Sequence, residues 1–312
     1  MPNHWVTGWL GGGYFFTTLC RIAVPFFFVT SSYLFYDRKT PIRKYVLRLI
    51  KLDIAWTIVE LPFIIYKFYV IGTGNGIEKT FHLIQGLLWG ESYMGSWFIH
   101  ASWMGMLVLY WLTEHLKERT VVLICLGFFI LALVDTSYSF LIAGTRMGEF
   151  WQNIDYVILP SESFIMAVPY FYIGRRLSMS RNLMSGNKAV GLLMVSILLL
   201  FIESLAVREV SDVGLIVNPR FEQFLLLPPL TYLLVYALKT TECRLRKDVA
   251  VSLRQQSTLI FLLHQPLIMF TYKIIGQSMG MALFGLVAVE SILIAMSIIL
   301  ASKEFKCLNY LY

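Results

Sequence analysis

The sequence predicts an all-α fold: a polytopic bundle of about nine membrane-crossing helices in one membrane-embedded domain over residues 1–312. Three observations carry that reading. Hydrophobic residues make up 57% of the chain and charged residues 14%, with a mean hydropathy of +0.67, against about 45–50% and about 25% in soluble domains. The apolar residues fall in blocks close to the roughly twenty needed to cross about 30 Å of hydrocarbon. Lys and Arg collect in alternate connections between those blocks, which is how a multi-span chain fixes its orientation.

Taken in order, the first block is 12–36, with Arg21 inside an apolar, aromatic run and Pro25 one turn later. The second, 47–71, holds Pro62 and places Asp53 and Glu60 seven residues apart, two turns along nearly one face. IEKTFHLIQGLLWG (77–90) is too short and too polar to span, and reads as an amphipathic helix at the surface or dipping into the bundle. The third block, 96–113, carries His100; the fourth is 120–137; the fifth, 161–175, contains Pro169. Glu203 lies near one end of the sixth, 188–207, and the seventh, 222–239, contains Pro228 and Pro229. The eighth, 256–275, contains LIFLLHQP with His264 and Pro266, and the ninth, 280–301, contains Glu290. Proline kinks such helices without abolishing them where neighbours satisfy the freed carbonyls.

Charge then orients the bundle. The connections after the first, third, fifth and seventh blocks, with the C-terminal tail, hold nineteen Lys and Arg, the opposite connections six, and Arg21 stands alone within a helix. The rich side is cytoplasmic by the positive-inside rule. The C-terminus is therefore expected inside and Met1 outside, in a multi-pass cell-membrane protein whose surroundings are lipid. The net charge of +7 is thus an orientation signal, and nucleic acid is excluded as a partner. Four scattered cysteines with no CxxC pair predict neither a disulfide nor a metal site.

A charge at mid-bilayer costs about 2.5–3.5 kcal/mol on insertion scales, so each one asks for a reason. Arg21 either faces a polar site or snorkels to the headgroups. His264 either lines a polar path or holds the Pro266 kink through a freed carbonyl. Asp53 and Glu203 are either functional or merely wet at helix ends. His100 reads as a bridge between helices, and Glu290 is ambiguous: pairing with an Arg or Lys of another helix is one reading, and no spacing decides which. There is no Ser–His–acid spacing, and GTGNG (72–76) lacks the helix N-terminus directly after it that a phosphate loop requires. The residues alone stop at a multi-span membrane protein with a polar interior.

The stretch RIAVPFFFVTSSYLFY resembles the R-x-A-V-P-x-F-F-x-x-S-G-Y signature of the acyltransferase-3 family of integral membrane acyltransferases, closest to its surface-polysaccharide O-acetyltransferase branch. SWFIHASWMGMLVLYWL, VPYFYIGRRL, LLFIESLAV and STLIFLLHQPLIMF are similar, in order, to later segments of that family. Ser31-Ser32-Tyr33 departs from its Ser-Gly-Tyr and loses the glycine that lets helices approach closely. The family has ten spans with both ends inside and an Arg-x10-His element in its first helix. The expectation is that this chain lacks that helix, with His4, seventeen residues before Arg21, standing near the position of the motif histidine.

The resemblance implies transfer of an acyl group, usually acetyl from cytoplasmic acetyl-CoA, to a hydroxyl of a cell-surface or lipid-linked glycan, with no metal. On that footing His4 is the base, since imidazole titrates near neutrality, and Arg21 positions the thioester or substrate. Arg43, Lys44 and Arg48 stand where the CoA phosphates would be held, and Ser31, Trp97, Glu203 and His264 line the acceptor path. The alternatives are a transporter or flippase-like module for a small molecule or lipid-linked sugar, and an inactive fragment.

Overall fold

A computed structural model describes residues 12–71, 74–89, 97–155, 159–180, 184–212, 221–241, 246–275 and 280–312. It is all-helical, with twelve α-helices among the described residues: α1 Gly12–Cys20, α2 Ala23–Asp37, α3 Ile42–Ile65, α4 Gly76–Trp89, α5 Trp97–His115, α6 Glu118–Asp135, α7 Arg146–Asp155, α8 Phe164–Met179, α9 Gly186–Asp212, α10 Leu227–Thr240, α11 Lys247–Ile275 and α12 Gly280–Ala301. The expected blocks are recovered as helices. Among the described residues, three helical stretches are long and apolar enough to cross a membrane by length and composition: Phe15–Asp37, Gly186–Ser211 and Leu283–Ala301. The count of nine spans is not established by that measure.

The first block is not one continuous helix. Pro25 lacks an N–H and its ring crowds the carbonyl four residues back, at Arg21. The chain turns at Arg21–Ile22, where Arg21 N–H donates to Thr18 O (3.2 Å) and Ile22 N–H to Leu19 O (3.1 Å) before α2 resumes. At the other end of α2, Lys39 takes a left-handed φ of 48°. Its N–H reaches Tyr36 O at 3.2 Å while Thr40 N–H reaches Phe35 O at 3.0 Å, a Schellman closure with Pro41 behind it to stop the helix. The basic run after Tyr36 therefore begins in a defined turn and continues as the first turns of α3.

α8 is the centre of the bundle. Residues Met166 to Phe171 are almost wholly buried, and α8 packs against α2, α5, α6 and α10. Its tightest partner is α2: Gly174 has no Cβ to hold the helices apart, and Ser32 donates to the Phe171 carbonyl at 2.6 Å. The glycine missing from Ser31-Ser32-Tyr33 is thus replaced by one on the facing helix. A second cluster joins α3, α5, α11 and α12 through Leu52, Trp56, Ile99, Leu259, Leu262 and Ala295. α9 exposes Val190, Met194, Leu198 and Ile202 on its outer surface, as expected of a helix solvated by lipid.

α4 is the expected amphipathic helix, but it begins at Gly76, so GTGNG does lead directly into a helix N-terminus, contrary to the expectation from sequence. Asn75 caps it, accepting from Ile77 N–H (3.0 Å) and Glu78 N–H (2.9 Å), while Glu78 accepts from Asn75 N–H (3.1 Å), a reciprocal capping box. Ile77, Phe81, Ile84 and Leu88 remain exposed along one stripe. A 3₁₀ turn, Lys306–Leu311, folds back on α3, and the Trp56 indole donates to Leu311 O at 3.0 Å.

Candidate functional site

One end of the bundle is basic. Arg175 lies over the Tyr36 ring, Arg175 and Arg176 pair with Glu118 at 3.3 and 3.2 Å, and Lys239 donates to Leu177 O and Ser180 O. These contacts tie the loops after α2, α5, α8 and α10 into one region, so the cations that alternate along the chain gather in space. Here the start of α3 and the C-terminal turn enclose a cavity of about 580 Å³ lined by Pro41, Arg43, Lys44, Leu47, Arg48, Lys51, Leu52, Asn309, Tyr310 and Tyr312. Arg43, Lys44 and Arg48 share one cavity because their spacing places them within two turns of a single helix end. Lys51 adds a fourth cation. The donor set fits an anion with several phosphates: guanidinium forks and ammonium groups for the oxygens, tyrosine rings for a flat base.

The opposite end is polar and bears carboxylates. Arg21 approaches Glu222 at 4.0 Å, with about a third of its side chain exposed. The Tyr170 hydroxyl donates to Gln223 at 2.8 Å, and the Asp135 carboxylate accepts from Ser161 N–H at 2.9 Å. The Ser137 and Ser161 hydroxyls are buried with no partner among the described residues. Glu203 accepts from the Tyr138 hydroxyl (2.6 Å) and from Leu225 and Leu226 N–H (2.5 and 3.0 Å), all near the start of α10. Both its oxygens are engaged by the protein.

Between the two ends lies an acid–base pair. His100 Nδ1 on α5 is 3.0 Å from Asp53 Oδ2 on α3, and Trp103 Nε1 donates to the same oxygen at 2.9 Å. Asp53 follows Arg43 by ten residues, about 15 Å along the helix, which puts the pair well inside the bundle. At 100° per residue Asp53 is turned nearly opposite Lys44, toward α5 and away from the basic cavity. His100 Nε2 is buried and has no hydrogen-bond partner among the described residues.

The remaining expected residues are placed as follows. His4 lies outside the described residues. Ser31 shares a hydrogen bond with the Tyr45 hydroxyl at 2.7 Å, fixing α2 to α3. Trp97 begins α5, half-buried, with its ring edge-on to Phe98. His264 Nδ1 bonds the Phe261 carbonyl within its own helix, one residue before the carbonyl that Pro266 frees. That bond is not the one the kink-holding alternative required. Arg21 and His264 therefore have separate partners. Glu290 accepts from Thr271 at 2.9 Å, a hydroxyl where an Arg or Lys was one reading. His100 does bridge two helices, as expected, through Asp53; that Asp53 is its partner was not legible, because no spacing links the two blocks.

Residues 1–301 match the acyltransferase domain of the acyltransferase 3 type. A serine/alanine racemase of Enterococcus gallinarum is 25% identical over 218 residues, which is 65% of this chain and 30% of the racemase, so the chain spans under a third of that relative. No solved structure matches.

Proposed function

The chain belongs to the acyltransferase 3 family, and from that premise we propose that it moves an acyl group, acetyl in the simplest case, from cytoplasmic acyl-CoA to a hydroxyl of a cell-surface or lipid-linked glycan. The cavity of about 580 Å³ carries this reading: four cations on α3 meet three polar residues of the C-terminal segment, a donor set suited to the phosphates and adenine of CoA. The positive-inside rule puts the basic end, and with it the cavity, on the cytoplasmic side, where acyl-CoA is available. The acceptor approaches the opposite end, where Arg21, Glu222, Gln223 and the Ser137 and Ser161 hydroxyls offer donors and acceptors for a polyhydroxyl ligand. Arg21 orients that ligand, and His4 is available on the same side by the resemblance.

The direct test supplies radiolabelled acetyl-CoA to membranes holding the protein and follows label into glycan. Covalent labelling that depends on the protein supports the reading, and its absence overturns it.

One observation favours a second reading. The racemase match covers a stretch of a protein whose named activity is not acyl transfer. A membrane domain of this kind can serve such a protein by carrying a small molecule across the bilayer. Protein-dependent uptake of labelled serine or alanine without covalent transfer would select transport.

A further inference from the structure

We propose that Asp53 and His100 form the proton-accepting pair of the acyl transfer, with His100 Nε2 as the general base in place of His4, which lies outside the described residues; this rests on the acyltransferase reading above. The assignment comes from hydrogen-bond chemistry. An ionised carboxylate only accepts, so the 3.0 Å contact requires the proton on His100 Nδ1. In a neutral imidazole Nε2 then carries the free lone pair. Trp103 holds the same Asp53 oxygen at 2.9 Å, which fixes the carboxylate and through it the plane of the ring.

Two features separate this pair from a simple bridge between helices. A carboxylate this far inside a membrane bundle is costly, and a neutral amide would join α3 to α5 without that cost. The other ring nitrogen is buried and, among the described residues, unpartnered, in a side chain only 10% exposed. A buried polar atom without a partner is itself destabilising, so a purely structural role gives no reason to keep it. A base that must meet a substrate proton does.

The step balances without any further reagent. His100 Nε2 takes the proton of the acceptor hydroxyl as its oxygen bonds to the thioester carbon. The C–S bond breaks, and the proton passes to the departing thiolate, giving ester and free CoA. Asp53 keeps its contact with the ring Nδ1 throughout and stabilises the imidazolium.

The experiment compares wild type, His100→Asn and Asp53→Asn in membranes, measuring label transfer from acetyl-CoA per acetyl-CoA binding site. Asn at position 100 places its amide N–H where Nδ1–H was, so the bond to Asp53 survives while the base is removed. Because Asp53 is turned away from the basic cavity, binding of acetyl-CoA should be retained. The expected result is a loss of about a hundredfold or more in transfer for His100→Asn, with a smaller loss for Asp53→Asn. A His100→Asn protein that transfers at the wild-type rate overturns the proposal. Loss of acetyl-CoA binding together with transfer also overturns it, because the pair would then be a structural bridge. A wild type that transfers no label removes the acyltransferase reading itself, an outcome distinct from an active wild type with an equally active variant.

Discussion

Gly174 of α8 lies so close to Val29 of α2 that a methyl group on its Cα would sit 2.3 Å from the Val29 carbonyl oxygen and 2.8 Å from Ser32 Cβ. The first obstacle is backbone, which cannot rotate aside. Gly174→Ala should therefore force the two central helices apart and cost about 1–3 kcal/mol. Gly127 of α6 has nothing within 4 Å of a built Cβ, so Gly127→Ala is the matched control, neutral or slightly stabilising. Thermal unfolding of the protein in detergent distinguishes them. Equal midpoints for the two variants would contradict the close packing.

The basic cavity predicts a separation of binding from chemistry. Arg43, Lys44 and Arg48 line it at the start of α3. Each charge-assisted contact to a phosphate contributes about 1.5–3 kcal/mol before screening, so single alanine variants should raise KM for acetyl-CoA about tenfold and leave kcat nearly unchanged. Added salt should raise the wild-type KM in the same direction. Kinetics with labelled acetyl-CoA over a salt series check both. A lowered kcat at constant KM would move these residues from donor binding to the reacting centre.

Glu203 yields a prediction opposite to its expected role in substrate binding. Its carboxylate accepts the Leu225 and Leu226 N–H groups and the Tyr138 hydroxyl, holding the turn ahead of α10 from a distant helix. Glu203→Ala leaves those donors unpaired at a cost of about 1–3 kcal/mol. The expected outcome is a lower unfolding midpoint with an unchanged KM for the acceptor. Were Glu203 a ligand for the glycan, the KM would rise and the midpoint would hardly move.

These cases show what the sequence made legible. Helices follow from block length, but the first block was expected to run on through Pro25 and divides at Arg21–Ile22, and the Asn75–Glu78 cap that starts α4 was not read. Arg43, Lys44 and Arg48 were found together because neighbours on one helix end remain neighbours in space. Pairings across helices leave no such trace. Asp53 and His100 are 47 residues apart, and Glu203 and its Leu225 partner are 22 apart. No periodicity links them, so only packing shows which polar side chains the protein itself satisfies and which nitrogen it leaves free. Ser32 shows the same limit: loss of the glycine read as loss of close approach, whereas Gly174 supplies it from the facing helix.

Acid should loosen the basic end by a route the geometry specifies. Glu118 opens α6 ahead of its apolar run, and the Tyr172 hydroxyl donates to it at 2.6 Å with Arg175 and Arg176 beside it. The Tyr172 hydrogen bond first, and then the two guanidinium charges, hold its carboxyl below the ordinary carboxylate range. A group with a lowered folded pKa contributes stability that is complete above its unfolded value, about 4.3. That contribution is lost as pH falls through the folded value. Nearly half of the Glu118 side chain is exposed, which limits the effect to at most about 1 kcal/mol. The unfolding midpoint of wild type should decline below about pH 4.5, and Glu118→Gln should flatten that decline. Tyr172→Phe should flatten it in part, having removed the largest single cause. Midpoints recorded against pH for the three proteins decide the matter: parallel curves would mean that the Glu118 cluster does not couple protonation to folding.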